Sequence, residues 1–197
     1  VARGMEVLAE PAGGIHHVAH VLQREVAVKL MALGNAGSDE LAQRFEREAR
    51  TIARLDHPHI VGIHEVGRSS TGLPYYTMPY LPNGDLGRRR LRGDSRAVLA
   101  VLRALVDALA YAHAHGVVHR DVKPDNVLFD KNDRPLLTDF GIALATTLDH
   151  DHRVTERGRT LGSSGYMSPE QARGSDVDAR ADLYSLGVVC HELLTGD

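Results

Sequence analysis

The stretch His119-Arg-Asp-Val-Lys-Pro-Asp-Asn126 (HRDVKPDN) decides how the rest of this chain is read. It sets charged and amide side chains between two short apolar runs, Gly116-Val-Val118 before it and Val127-Leu-Phe129 after it. Thirteen residues beyond Asn126 comes Asp139-Phe-Gly141, and further on Met167-Ser-Pro-Glu170. Alone, each would be a group of ordinary polar loop residues. Their order and spacing carry the information.

Together these segments resemble the signatures of the eukaryotic-like serine/threonine protein kinases, particularly those found in bacteria. The resemblance runs from about Met5 to the last residue. It implies an α+β, protein-kinase-like bilobal fold. The N-lobe and hinge would occupy residues 1–81, with a small antiparallel sheet and one main helix, and a mostly α C-lobe would occupy 82–197, stopping before the family's final helices. The implied reaction is transfer of the γ-phosphoryl group of ATP, with Mg2+ or alternatively Mn2+, to serine or threonine hydroxyls of protein substrates.

Such a transfer leaves the protein little covalent chemistry, so positioning and charge neutralisation dominate. The resemblance gives Asp121 the task of orienting the hydroxyl and accepting its proton, and gives Lys123 the transferring phosphate. Asn126 and Asp139 would supply hard oxygen ligands to magnesium. Lys29, ending Val26-Ala-Val-Lys29, would contact the α- and β-phosphates. Its helix partner would be Glu48 in Phe45-Glu-Arg-Glu-Ala49, with Glu46 as the rival. Around adenine the resemblance places Val18 and Ala27 above, Leu128 below, Met78 as gatekeeper and Tyr80 and Leu81 as hinge groups. Arg120 would pair with a phosphorylated residue of the segment from Asp139 to Glu170. Thr155 and Thr160 are the candidates and Ser164 a third, while Ser163 is assigned to structure or substrate contact. Asp182 would hydrogen-bond the backbone of the 119–126 loop.

Working outward, short alternating runs at Met5–Ala9, His17–Leu22 and Glu25–Leu30 predict an antiparallel meander. Ser38, followed by Asp39 and Glu40, predicts a helix start, and Leu41, Phe45, Ala49 and Ile52 recur on one face of a helix reaching about Leu55. Strands are expected at Ile60–Val66 and Tyr75–Met78, with the turn over Gly67–Pro74. Ser95 is read as the cap of a long helix with Val98, Leu102, Leu105, Leu109 and Ala112 inward, closed by Gly116. The run Asp182–Leu194 is apolar almost all round and reads as a buried central helix. Arg88 to Arg92 reads as the solvated start of a helical segment.

At 197 residues, 43% hydrophobic and 25% charged, the composition is that of a globular protein. A formal charge of −3 gives no global basic surface for nucleic acid. Cys190 is the sole cysteine, so it is read as a small buried hydrophobe in a reducing, cytoplasmic setting. The chain holds 12 histidines but no H-E-x-x-H pattern, which speaks against a dedicated metal site. No apolar stretch is read as approaching a membrane span, so no membrane contact is expected of this domain, although a longer protein could carry an anchor beyond it. Dimerisation for autophosphorylation is a further expectation.

The glycine-rich loop departs from the family pattern. Pro11 and His16 stand at outer glycine positions, leaving Gly13 and Gly14, and the interval from Val18 to Lys29 is short. Proline and histidine resist the backbone geometry and close phosphate approach that glycine permits, so weakened nucleotide affinity is expected. The competing readings are a pseudokinase scaffold, argued from Pro11 and His16, and a small-molecule kinase of related fold. Retention of Lys29, Asp121, Asn126 and Asp139 argues against the first, and Ser168-Pro-Glu170 after a long segment argues against the second.

Overall fold

Antiparallel pairing sets the order β1-β2-β4-β3 in a sheet built from β1 (His16–Val21), β2 (Arg24–Leu30), β3 (Glu65–Arg68) and β4 (Pro74–Pro79). The computed structural model describes residues 16–21, 24–30, 39–89, 91, 93–141 and 164–196. They belong to two units, Val1–Asp56 with Val61–Tyr80, and His57–Ile60 with Leu81–Asp197, and each is described by itself.

In the first unit β2 is paired on both sides, and Val26, Ala27 and Val28 are all buried. Consecutive apolar residues belong on such a strand, because both of its faces are covered. One helix, α1 (Asp39–Ile52), lies on the sheet through Ala42, Phe45, Ala49 and Ile52, and Phe45 stacks on Tyr76 with ring centroids 5.9 Å apart. Acidic Asp39 and Glu40 open it and Arg50 closes it, as the helix dipole favours. The helix ends at Ile52, short of Leu55, and Ala42 takes the buried position expected of Leu41, which is half-buried.

The strand expected at Ile60–Val66 forms later, at Glu65–Arg68. Ile60 instead makes a single parallel bridge to Leu137 in the second unit, and the His59 carbonyl accepts the Leu137 N–H at 2.8 Å. Ile60 and Val61 are buried without being strand residues, so their apolar character reported burial and not extension. The strand expected at Met5–Ala9, the Ser38 cap and the Gly13-Gly14 turn lie outside the described residues.

The second unit is organised by α2 (Ser95–Ala114), whose buried residues are Val98, Val101, Ala104, Leu105, Ala108, Leu109 and Ala112. Its cap is Asp94, not Ser95: the Asp94 carboxylate accepts the Ala97 N–H at 2.9 Å. Val101 is buried where Leu102 was expected, and Leu102 is half-buried. The helix closes through Gly116 at φ +74°, where the Gly116 and Val117 N–H groups return to the His113 and Ala112 carbonyls. A left-handed turn of this kind favours glycine. By length and composition alone α2 could span a bilayer, which corrects the reading that no stretch comes near that limit. Its packing against the strand Pro135–Leu137 and the helix Ala179–Thr195 is that of a core helix.

A two-stranded hairpin, β5 (Val127–Phe129) with β6 (Pro135–Leu137), follows the polar loop. Short α3 (Pro169–Ala172) and long α4 (Ala179–Thr195) complete the unit. Asp178 caps α4, which therefore starts three residues before Asp182. It is also less enclosed than its sequence suggested: Leu183, Tyr184 and Leu194 are exposed, and Cys190 is half-buried. The arginine run does not open an α-helix either. Leu86–Arg88 forms one tight 3-10 turn capped by Asp85, while Arg89 lies over the Phe129 ring at 3.8 Å and bonds Asp133 at 2.6 Å.

Candidate active site

In the second unit the site is wired through backbone groups of the 119–126 loop. Asp182, fully buried in the first turn of α4, accepts the His119 N–H on Oδ2 at 2.8 Å and the Arg120 N–H on Oδ1 at 2.7 Å. His113 Nε2 stands 2.7 Å from the same Oδ2. These bonds hold Arg120 at φ +67°, a left-handed conformation costly for a side chain with a Cβ. Asp139 is held similarly, at φ +59°.

The His119 ring is sealed in the interior. Its Nε2 is 2.9 Å from the Thr138 carbonyl, which can only accept, and the Asp121 N–H points at Nδ1 from 3.2 Å. The ring is therefore neutral, with its proton on Nε2. Burial pushes its pKa below the ordinary histidine value, against the opposing pull of Asp182. His119 also stacks near Phe140, with centroids 4.5 Å apart, and its carbonyl accepts the Gly141 N–H at 2.7 Å. The segment flanking Asp139 is thus tied to the loop carrying Asp121 on both sides.

At the centre, Asp121 Oδ2 accepts Lys123 Nζ and Asn126 Nδ2, each at 2.9 Å. Asn126 Nδ2 also donates to the Asp121 carbonyl at 2.7 Å, and the Thr138 N–H donates to the Asn126 carbonyl at 2.9 Å. Asn126 thus spends its amide nitrogen within the loop, which leaves its side-chain oxygen as the atom suited to a cation. That oxygen and the Asp139 carboxylate are the kind of hard donors a magnesium ion takes. Asp121 and Lys123 remain partly open, with side-chain exposures of 28% and 16%.

In the first unit, Val18 stands opposite Ala27, and Ala27 opposite Met78, in one row across β1, β2 and β4. Lys29, two residues beyond Ala27, belongs to the same face and stands opposite Tyr76, on which Phe45 stacks. Helix α1 therefore covers the face that carries Lys29. Glu48 lies one turn beyond Phe45 and pairs with Arg44 at 3.6 Å. Its rival Glu46 is bound by Arg68 at 2.7 Å and Arg50 at 2.9 Å. The arginines, Arg68 foremost, hold its carboxyl below the usual carboxylate range.

Ala27 and Met78 are buried, Lys29 and Leu81 half-buried, and Tyr80 is exposed. Leu128, half-buried on β5, bridges Asp85 within the second unit. Gly13, Gly14, Thr155, Thr160 and Ser163 lie outside the described residues, and of Ser164 only the backbone is described.

The sequence reading missed Gln171. Its Nε2 donates to the Arg120 carbonyl at 2.7 Å, while its Oε1 accepts the Ser168 N–H at 3.2 Å and Ser168 Oγ accepts the Gln171 N–H at 3.4 Å. The signal was present as Ser168-Pro-Glu-Gln171, the S-x-x-Q of a capping box. Tyr166 was also missed: it donates to Glu192 at 2.5 Å, and its carbonyl accepts Ser185 Oγ at 2.6 Å.

Comparison with known proteins matches residues 12–197 to the family described as the protein kinase domain. Among relatives, the serine/threonine-protein kinase PknB of Mycolicibacterium smegmatis is 41% identical over 183 residues, covering 89% of this chain and 29% of its own length. PrkC of Bacillus subtilis is 40% identical over 182 residues, covering 89% of this chain and 27% of its own. The chain thus spans under a third of these relatives. The crystal structure of the Mycobacterium tuberculosis PknI kinase domain superposes with a TM-score of 0.75 at 32% identity, covering 98% of this chain and 72% of that one. The polar loop, its buried aspartate and the fold around them are those of a protein kinase, and the chain belongs to the protein kinase family, with bacterial serine/threonine kinases among its relatives.

Proposed function

We propose that this domain transfers the γ-phosphoryl group of ATP to serine or threonine hydroxyls of protein substrates. The observation that carries the reading is the Asp121 carboxylate, partly open and held by Lys123 and Asn126 at 2.9 Å. Asp121 orients the incoming hydroxyl and takes its proton as the oxygen attacks phosphorus. Lys123 then offsets charge on the transferring phosphoryl, and the leaving ADP carries away the electron pair of the broken bond. Magnesium, when bound by Asn126 and Asp139, supplies neutralisation of phosphate charge. Lys29 contacts the α- and β-phosphates with Glu48 as its helix partner, and the row Val18, Ala27 and Met78 meets the adenine.

Regulation follows from Arg120, whose Nε is buried with no hydrogen-bond partner among the described residues. An unmet guanidinium donor costs stability until an acceptor arrives, and a phosphate is the strongest acceptor a chain can acquire. Phosphorylated Thr155 or Thr160 would supply it.

The test is incorporation of labelled phosphate from ATP into a generic basic protein by the full chain and by Asp121→Asn. Transfer by the parent and its near loss in the variant are expected. Equal incorporation by both would remove Asp121 from this role, and none by the parent would remove the activity.

A further inference from the structure

Helix α1 rests on its sheet through one apolar row and one ring stack, Phe45 on Tyr76. Those contacts face the helix toward the sheet, and a polar grip at the edge adds to what opposes rolling. Arg68, the last residue of β3, belongs by register parity to the face that carries Tyr76 and Lys29. From there its Nε donates to Glu46 Oε1 at 2.7 Å and its NH1 to Asp39 Oδ1 at 3.1 Å.

Asp39 and Glu46 are seven residues apart, two turns along one face of α1. One guanidinium therefore holds the helix at two heights, which resists both rotation and sliding. Arg50 fills the other Glu46 oxygen at 2.9 Å and completes the grip. Planar, multi-donor arginine suits this task, and a lysine could not make the same pair of bonds from one rigid fork.

We infer that Arg68 is a positioning residue for phosphoryl transfer, setting the roll of α1 on the sheet and with it the place of Glu48 beside the row that carries Lys29. The inference rests on the reading of Lys29 and Glu48 given above. Arg68 touches no substrate itself; it acts through the helix.

The experiment measures the dissociation constant of Mg·ATP by calorimetry, and thermal unfolding, on the full chain and on Arg68→Met, Arg68→Lys, Glu46→Gln and the double variant Arg68→Met/Glu46→Gln. Arg68→Met and Glu46→Gln are each expected to weaken Mg·ATP roughly three- to tenfold, and the double variant no further, the non-additivity of residues acting as one unit. Arg68→Lys should lie between, and serves where Arg68→Met does not fold. Repeated in a Glu48→Gln background, Arg68→Met should change the constant by less than about twofold, because the group it positions is gone. A change as large there as in the parent would mean that Arg68 acts through general stability, and unchanged affinity in Arg68→Met would overturn the inference alone. A parent chain that takes up no Mg·ATP would remove the kinase reading and this inference together.

Discussion

Asp182 Oδ1 accepts the Arg120 N–H at 2.7 Å across 62 residues of chain. Its other oxygen accepts the His119 N–H at 2.8 Å, so one buried carboxylate on α4 serves two consecutive amides of the 119–126 loop. The carboxylate fixes the backbone in the conformation that aims Asp121 outward.

Asp182→Ala removes both acceptors at once and leaves one buried and one half-buried N–H group unmet. Each such group costs about 1–3 kcal/mol, so a loss of roughly 3 kcal/mol or more is expected in urea unfolding. Asp182→Asn keeps one acceptor oxygen and should lose less. An alanine variant within ~1 kcal/mol of the parent would mean that water or the chain replaces those bonds.

The buried neutral ring of His119 predicts how stability depends on pH. Its folded pKa lies below its ordinary value of 6.5, with burial the leading cause. Below about pH 6.5 the unfolded chain therefore binds a proton that the folded chain refuses, and stability falls with pH at up to ~1.4 kcal/mol per unit for this one group. The loss begins as pH drops through the unfolded value and continues to the folded one. Urea midpoints between pH 7.5 and about 5.5 measure it. A flat profile across that window would contradict the neutral ring. Because the folded ring stays neutral across that window, phosphoryl transfer by the folded chain should decline through His119 only below the folded value, where an Nδ1–H would be set against the Asp121 N–H.

Much of this molecule was legible because local chemistry and tertiary role coincide. Asp121, Asn126 and Asp139 were readable as loop residues, and Lys29 as part of a short apolar strand, from the local sequence alone. Gly116 could be read as a helix stop because its φ of +74° admits few other residues. Ile60 and Val61 were misread, since burial and extension look alike in a short apolar run. Helix α4 was misread for a related reason: apolar residues all round do not say which face is covered, and Leu183, Tyr184 and Leu194 are not. Spacing from Phe45 favoured Glu48 over its rival Glu46, but it could not show the bond to Glu46 from Arg68, 22 residues away, which only the fold brings close.

Tyr166 ties the segment before α3 to α4 through its 2.5 Å bond to Glu192. Burial first, and then the Glu192 carboxylate, push the phenol far above the ordinary tyrosine range. In an ultraviolet titration Tyr166 should therefore ionise last, later than Tyr75, which burial also raises, and Tyr166→Phe should remove that last step without changing the others. The variant should also expose the 164–170 segment to faster amide exchange, since its carboxylate-bound hydroxyl is gone. Unchanged exchange there would show that Ser185 Oγ on the Tyr166 carbonyl is sufficient by itself.

Lys123 shares Asp121 Oδ2 with Asn126, and its ammonium is held directly against the proposed proton acceptor. If Lys123 offsets phosphoryl charge, Lys123→Met should lower the rate of transfer at saturating ATP by roughly 10²–10³, the cost of removing one preorganised group aimed at developing charge. Thermal unfolding should move little, because the pair is partly open to solvent and such pairs contribute at most about 1 kcal/mol. Asp121→Asn should cost at least as much, within the roughly 10²–10⁴ that a positioned base contributes. The informative variant is the double one. Groups acting on one transition state are strongly non-additive, so Asp121→Asn with Lys123→Met should be little slower than Asp121→Asn alone. Rates that multiply would show that the 2.9 Å contact is structural and that the lysine works independently of the carboxylate.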